Sequence, residues 1–296
     1  MSPPESPDPC TMMSLASIAY SPLFMISDQV KALGQEVVWG PAELGLIPYS
    51  AAFIAYDSVA QAYTVVIRGT DPLSWSSWKG EDFDLLPTVP FSQFTSLAPP
   101  AAVISAGTAT GLGDLLKLQA GKPRTGILGF LQANPPPALY VTGHSLGGTL
   151  TPALLAYLNA ELYGGVSVDN IAPCSFAGLT PGNAAFNSWF GGLFSSTAAW
   201  RFYNTLDFAP YCWWSLAGVQ DIYTPWNLVY GKPESDLLDP LFSSSASVGF
   251  AQPAGGYALQ GTFNPSILDQ TWVTQAIYQH HHTTYQGLVN AAFCPG

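Results

Sequence analysis

Gly143-His144-Ser145-Leu146-Gly147-Gly148 is the stretch that decides the reading of this chain. Ahead of it, Ala138-Leu139-Tyr140-Val141-Thr142 is a short apolar run that reads as a buried strand. Behind it, Thr149 to Leu158 reads as a helix. A serine set between glycines where a strand turns sharply into a helix is a nucleophile elbow. The turn strains the serine backbone, and side chains two positions either side would collide, which explains the glycines. The hydroxyl is then pushed out at the C-terminal end of the sheet. The N–H of Leu146 stands at the helix start, where it can donate to a developing oxyanion. The alternative is a glycine-rich structural turn, and the strand before and helix after argue against it.

The same alternation extends outward. Thr11 to Leu33 reads as helix interrupted by Pro22. Ala51–Tyr56 and Tyr63–Arg68 read as a hairpin turning through 57–60. Thr108–Gln119 and Thr125–Gln132 read as helices, Ile171–Ala177 and Trp200–Leu206 as strands, and Thr271–Gln279 and Thr284–Phe293 as helices. Strands alternating with helices imply an α/β fold, with a mostly parallel central sheet and helices on both faces. We find no internal repeat. At 296 residues the chain is long enough for two domains. The reading adopted is a Pro-rich tail over 1–10 and a single domain over 11–296.

Composition narrows the function. Charged residues are only 9% of the chain, and the mean hydropathy is +0.21. No segment reads as transmembrane, because the charge-free stretches are broken by Pro, Gly, Ser and Asn. The excess apolar residues must fill a large core or face something apolar. A net charge of −11 argues against nucleic acid and against attraction to anionic membranes. The N-terminus has no basic region and no apolar run, so no signal peptide is read in this sequence. Without a Cys-x-x-Cys spacing among four cysteines, no metal site is expected. Cys10 and Cys294 sit near opposite ends of the chain, and the termini of a domain are often close. A bridge between them is one reading, and four free thiols in a cytosolic protein is the other. The pairing of Cys174 and Cys212 stays open.

A nucleophilic serine needs a base, and the base needs an orienting acid. The histidines are His144, His280, His281 and His282. His144 precedes the serine at the elbow and should point away from the hydroxyl. The base therefore comes from 280–282, late in the chain, in the order Ser…Asp…His. The alternative for the triplet is a metal-binding patch or a solvated loop. Asp207 follows the strand-like run 200–206 and suits the acid. Asp169, Asp221, Asp236 and Asp239 lie in turn-like surroundings.

Taken together, these segments resemble the class 3 lipases, the fungal-type triacylglycerol lipase family with the α/β-hydrolase fold. The resemblance covers about residues 11–212 and 271–294. It rests on Ala52–Tyr56 with Thr64-Val-Val-Ile-Arg-Gly-Thr70, on Val141–Gly148, on Phe176–Asn183, on Asn204-Thr-Leu-Asp-Phe-Ala-Pro210 and on His282-Thr-Thr-Tyr285. It implies Ser145 as nucleophile, Asp207 as acid and His282 as base, the last chosen by its spacing to Tyr285. It implies Thr70 and the Leu146 N–H as oxyanion donors, no cofactor, and an acyl-enzyme route to long-chain triacylglycerol hydrolysis. It favours the Cys10–Cys294 bridge, secretion, and a monomer acting on lipid or ester substrate at an interface. Where the family carries its lid, 71–80 holds Trp75 and Trp78, whose alternative is core packing. Two departures stand out: Ser105, where the family often has histidine, and Pro152 inside the elbow helix, where a kink or a local adjustment is expected. The long 213–268 stretch is expected to form a cap-like insertion. The same fold and triad would also suit a feruloyl or short-chain carboxylesterase or a phospholipase A1. A non-catalytic lipase-like interaction module is the reading from outside the enzymes.

Overall fold

A computed structural model describes residues 7–44, 50–70, 85–194, 200–232 and 234–294. Helix α1 (Pro9–Ile18) begins inside the stretch expected to be tail. The reason is local: the Asp8 carboxylate accepts the N–H groups of Cys10 and Thr11, and proline suits the first helical turn. The break at Pro22 is present, with α2 (Leu23–Ala32) following it directly.

Strands β1 (Glu36–Leu44), β2 (Ser50–Asp57) and β3 (Ala62–Ile67) pair antiparallel. Asp57 closes the β2–β3 hairpin, its Oδ1 accepting the N–H groups of Val59 and Ala60. A small ribbon, β4 (Val89–Pro90) with β5 (Val103–Ile104), leads to α3 (Ala106–Lys117) and α4 (Ile127–Ala133). Ser105 caps α3, accepting the Thr108 N–H. The elbow strand β6 (Ala138–His144) runs into α5 (Leu146–Tyr163). Then come β7 (Ile171–Phe176), α6 (Ala184–Gly191), β8 (Arg201–Asn204), α7 (Leu216–Asp221), α8 (Glu234–Ala246) and β9 (Gly256–Leu259). Helices α9 (Trp272–His280) and α10 (His282–Phe293) end the chain.

The main sheet has the order β1-β2-β3-β6-β7-β8-β9 and is parallel from β3 onward. Its side chains alternate between two cores, as the two-residue period of a strand requires. Val65, Ile67, Leu139 and Val141 join α3, α4, α5 and α6 on one face. Val66, Tyr140, Phe176 and Phe202 join α1, α2 and α10 on the other. A third cluster packs Leu206, Phe208, Trp213, Phe242 and Trp272 beneath α7 and α8. Strand β9, inside the 213–268 stretch, pairs with β8 and so belongs to the main sheet.

Pro152 sits within the continuous helix α5. A proline there cannot donate to the carbonyl four residues back, that of Gly148. The Ser175 hydroxyl takes that carbonyl instead, at 2.8 Å, and holds α5 to β7. The proline is thus accommodated by a partner on the neighbouring strand.

Cys10 and Cys294 form a disulfide that spans 284 positions of sequence and ties α1 to the end of α10. Cys174 and Cys212 are free and buried. In the chain-entropy description, closing so long a loop stabilises by about 5 kcal/mol. Reduction, or Cys10→Ser with Cys294→Ser, is expected to lower the thermal midpoint by roughly 10 °C. An unchanged calorimetric midpoint would mean that the ends are held by packing alone.

Candidate active site

Ser145 lies between β6 and α5 with φ 60° and ψ −124°, a backbone that non-glycine residues rarely adopt. The neighbouring glycines make that turn possible by close approach. A Cβ on Gly143 would run into the Gly147 backbone, and one on Gly147 would strike the Ile67 carbonyl. The Ser145 N–H is tied to the Phe176 carbonyl at 3.0 Å, which pins the elbow to β7.

The Ser145 hydroxyl meets His280 Nε2 at 2.7 Å. His280 Nδ1 meets Asp207 Oδ2 at 2.8 Å. Asp207 is fully buried, and its other oxygen accepts the Ala209 N–H at 3.0 Å. A carboxylate at Nδ1 fixes the proton on that nitrogen and leaves Nε2 to accept from the serine. The strand end is tied to the helix that carries the histidine: Asn204 Nδ2 donates to both the carbonyl and Oε1 of Gln279. Tyr285, buried on α10, donates its hydroxyl to Asp207 Oδ2 at 2.7 Å and accepts the Asn204 N–H. Burial and the Asp207 charge push the Tyr285 pKa well up, so it remains a donor.

The histidine beside the serine is therefore His280, which corrects the assignment of His282. The helix break is the reason. His281 links the two helices in extended conformation and caps α10. His280 closes α9 on its buried face, four residues from Ala276 and eight from Trp272, both buried. Tyr285 stands one turn into α10, so the spacing between base and tyrosine is five residues instead of three. His282 stacks instead on the Tyr20 ring, with centroids 4.6 Å apart. Burial and the neighbouring His281 lower its pKa to about 4. The signal for His280 was present in the 272–276–280 stripe.

Tyr20 escaped sequence reasoning, and Gly69 was read only as part of the run that ends at Thr70. The Tyr20 hydroxyl bonds His144 Nδ1 at 2.9 Å, which braces the residue before the nucleophile. Gly69 lies so near the elbow that a Cβ there would strike the Tyr20 hydroxyl and the His144 carbonyl and come within 3.1 Å of Ser145 Cβ. Thr70 is the residue that follows Gly69. Leu146 is the first residue of α5. Trp75 and Trp78 lie outside the described residues. Among the described residues no group of acidic, histidine and cysteine side chains could hold a metal ion. None of the described helices is long and apolar enough to cross a membrane.

His144 is fully buried, and desolvation together with the nearby histidines holds its pKa well below the usual value. It is neutral in the fold, whereas in the unfolded chain it takes a proton near pH 6.5. Below about pH 6.5 the unfolded state binds more protons, so stability falls as pH falls, by at most about 1.4 kcal/mol per pH unit. Half-buried His282 acts in the same direction over the window from about 6.5 down to about 4. Thermal midpoints should therefore drop between pH 7 and pH 5, with a shallower slope in His144→Gln. Equal slopes in the two proteins would show that other groups set the acid limit.

With the geometry in place, comparisons bear on it directly. The family model described as Lipase (class 3) matches residues 64–213. The crystal structure of M37 lipase is similar to this chain at 27% identity and a TM-score of 0.75, covering 94% of this chain and 89% of that one. A Rhizomucor miehei lipase–propeptide complex matches at 16% identity and a TM-score of 0.57, over 95% and 78% of the two chains. Lip2 lipase from Yarrowia lipolytica matches at 15% and 0.57, over 85% and 77%. At such identities the last two speak for the fold alone. No curated protein sequence gives a significant match.

Proposed function

This chain belongs to the class 3 lipase family and is by that membership an ester-hydrolysing enzyme, and we propose that it cleaves long-chain triacylglycerols through an acyl-enzyme on Ser145. The single observation that carries the catalytic reading is the unbroken chain from the Ser145 hydroxyl through His280 to Asp207. His280 Nε2 takes the serine proton as the hydroxyl attacks the ester carbonyl. Asp207, itself held by the Tyr285 hydroxyl, orients the ring and stabilises the imidazolium that forms. The Leu146 N–H and Thr70 receive the charge on the carbonyl oxygen, each such donor contributing about 3 kcal/mol to the barrier reduction. The imidazolium then gives its proton to the departing alcohol. A water activated by the same histidine releases the acid and restores Ser145. No cofactor is required by this chemistry.

The lipid reading is supported by apolar side chains left exposed in 213–268, among them Trp226, Val229 and Leu268. Apart from β9, this stretch serves as a cap and acyl-binding wall of the single domain. The 71–80 segment with Trp75 and Trp78 acts as a lid that opens at a lipid surface. The disulfide suits an oxidising compartment, so the enzyme is secreted, and it works as a monomer.

Hydrolysis of p-nitrophenyl esters from acetate to palmitate, with emulsified triolein, tests the substrate class. Rates should rise with chain length and rise again as substrate passes its solubility limit. A preference for feruloyl esters, for the sn-1 position of phospholipids or for acetate would move the assignment to the corresponding esterase on the same fold. No hydrolysis of any ester by a folded chain would leave the interaction module.

A further inference from the structure

A cavity borders the loop that follows Asp207. It measures about 420 Å³ and is lined by Arg201, Tyr203, Tyr211, Trp214, Phe250 and Gln252, with none of Ser145, His280 or Asp207 in its wall. That volume lies within the usual range of small-molecule sites. Arg201 and Tyr203 leave β8 on the same face, opposite the buried Phe202, so the guanidinium lies along the tyrosine ring, 4.8 Å from its centre. Trp214 stacks on Tyr211 and stands half exposed at the mouth. Both walls are anchored to one carbonyl, that of Pro210, which accepts from Trp214 Nε1 at 2.9 Å and Gln252 Nε2 at 2.7 Å.

Within this aromatic frame two buried polar atoms lack partners: Arg201 Nε, a donor, and Gln252 Oε1, an acceptor. The Arg201 side chain forms no ion pair or hydrogen bond with any described residue. Scarcity of acids is not the cause, since the chain has 19 acidic residues against 8 basic ones. Drawing part of a guanidinium out of water without an anion is costly. Burial draws its pKa down, yet an arginine stays protonated. The charge is thus held ready among aromatic walls.

We propose that this cavity binds a monocarboxylate with an apolar acyl or aromatic body, its carboxylate on the Arg201 guanidinium and its body between Tyr211, Trp214 and Phe250. The forked donor of arginine matches a carboxylate. The net charge of −11 disfavours a doubly charged phosphate at the same place. The site stands on its own geometry, whether or not Ser145 cleaves esters.

Calorimetric titration tests it, using the chain with Ser145→Ala, preincubated with a non-hydrolysable long-chain ether lipid that fills the acyl site. The probes are decanoate below its micelle concentration, the neutral decanamide, and inorganic phosphate. Decanoate should bind at least about tenfold more tightly than decanamide, the least expected of a charge-assisted pair. Arg201→Met should weaken decanoate by a similar factor and leave decanamide unchanged, and Arg201→Lys should fall between. Trp214→Ala, which removes the half-exposed wall and its anchor on the Pro210 carbonyl, should weaken both ligands. With Ser145 intact, Arg201→Met should hydrolyse short soluble esters at the unaltered rate. Equal binding of decanoate and decanamide, or decanoate binding that ignores both Arg201→Met and Trp214→Ala, would overturn the proposal. Phosphate binding as tightly as decanoate would overturn it too, by making this a general oxyanion site.

Discussion

His280→Ala lowers kcat on a soluble ester by on the order of a millionfold, as removal of the base does in serine hydrolases, while His282→Ala changes it by less than about tenfold. Three adjacent histidines make this a sharp contrast. Only His280 reaches both the Ser145 hydroxyl and the Asp207 carboxylate. Without it the serine must lose its proton to water, and Asp207 keeps a buried charge facing an empty space. His282 touches neither atom of the chemistry. It stacks on Tyr20, and Tyr20 braces His144, so a modest loss through the elbow is the most it should cause. His281 caps α10 through Thr283 and belongs with His282 in this respect. Steady-state rates for the three alanine variants, each checked for folding by circular dichroism, decide the matter. A dead His282→Ala beside an active His280→Ala would show that the hydrogen-bonded arrangement is not the working one.

The elbow was legible in sequence because its requirements are local. A strained serine needs glycines at fixed offsets, and a strand and helix flank it within a few residues. Strands β2, β3, β6 and β7 were legible for a similar reason: they are almost wholly buried and read as apolar runs, whereas β1 and the exposed edge strand β9 were not read. Asp207 was legible because it follows such a run. The base was not, because three histidines in a row offer the same chemistry and differ only in how the chain turns there. The break at His281 changes the spacing to Tyr285 from three residues to five, and a motif read by spacing follows the wrong histidine. The 272–276–280 stripe of α9 carries the needed information, but it is visible only once the helix is known to run to residue 280. Pro152 announced a kink or a local adjustment, but not which. The adjustment comes from Ser175, a partner that lies on another strand and leaves no trace in the local sequence. Tyr20 is a long-range case as well, joined to His144 across 124 positions.

Ser145→Ala should abolish ester hydrolysis to the level left by binding and the oxyanion donors alone, again a loss on the order of a millionfold in kcat. The change removes one oxygen. Alanine must still adopt φ near 60°, but the strain is already present in the native turn, so no new backbone cost arises. The glycine clearances around Gly143 and Gly147 are untouched, and the tie from the residue 145 N–H to the Phe176 carbonyl remains. His280 Nε2 loses its partner, which sets an upper limit of about 1–3 kcal/mol on the stability change unless water enters. The variant should therefore fold, retain its disulfide and fail to react with a long-chain alkylphosphonate that labels the unaltered chain at a single serine. Mass spectrometry of the labelled peptide identifies the nucleophile independently of any rate. Labelling at another serine in the folded variant, or hydrolysis within a hundredfold of the unaltered rate, would remove the acyl-enzyme on Ser145, and the geometry around His280 would then need a different chemical explanation.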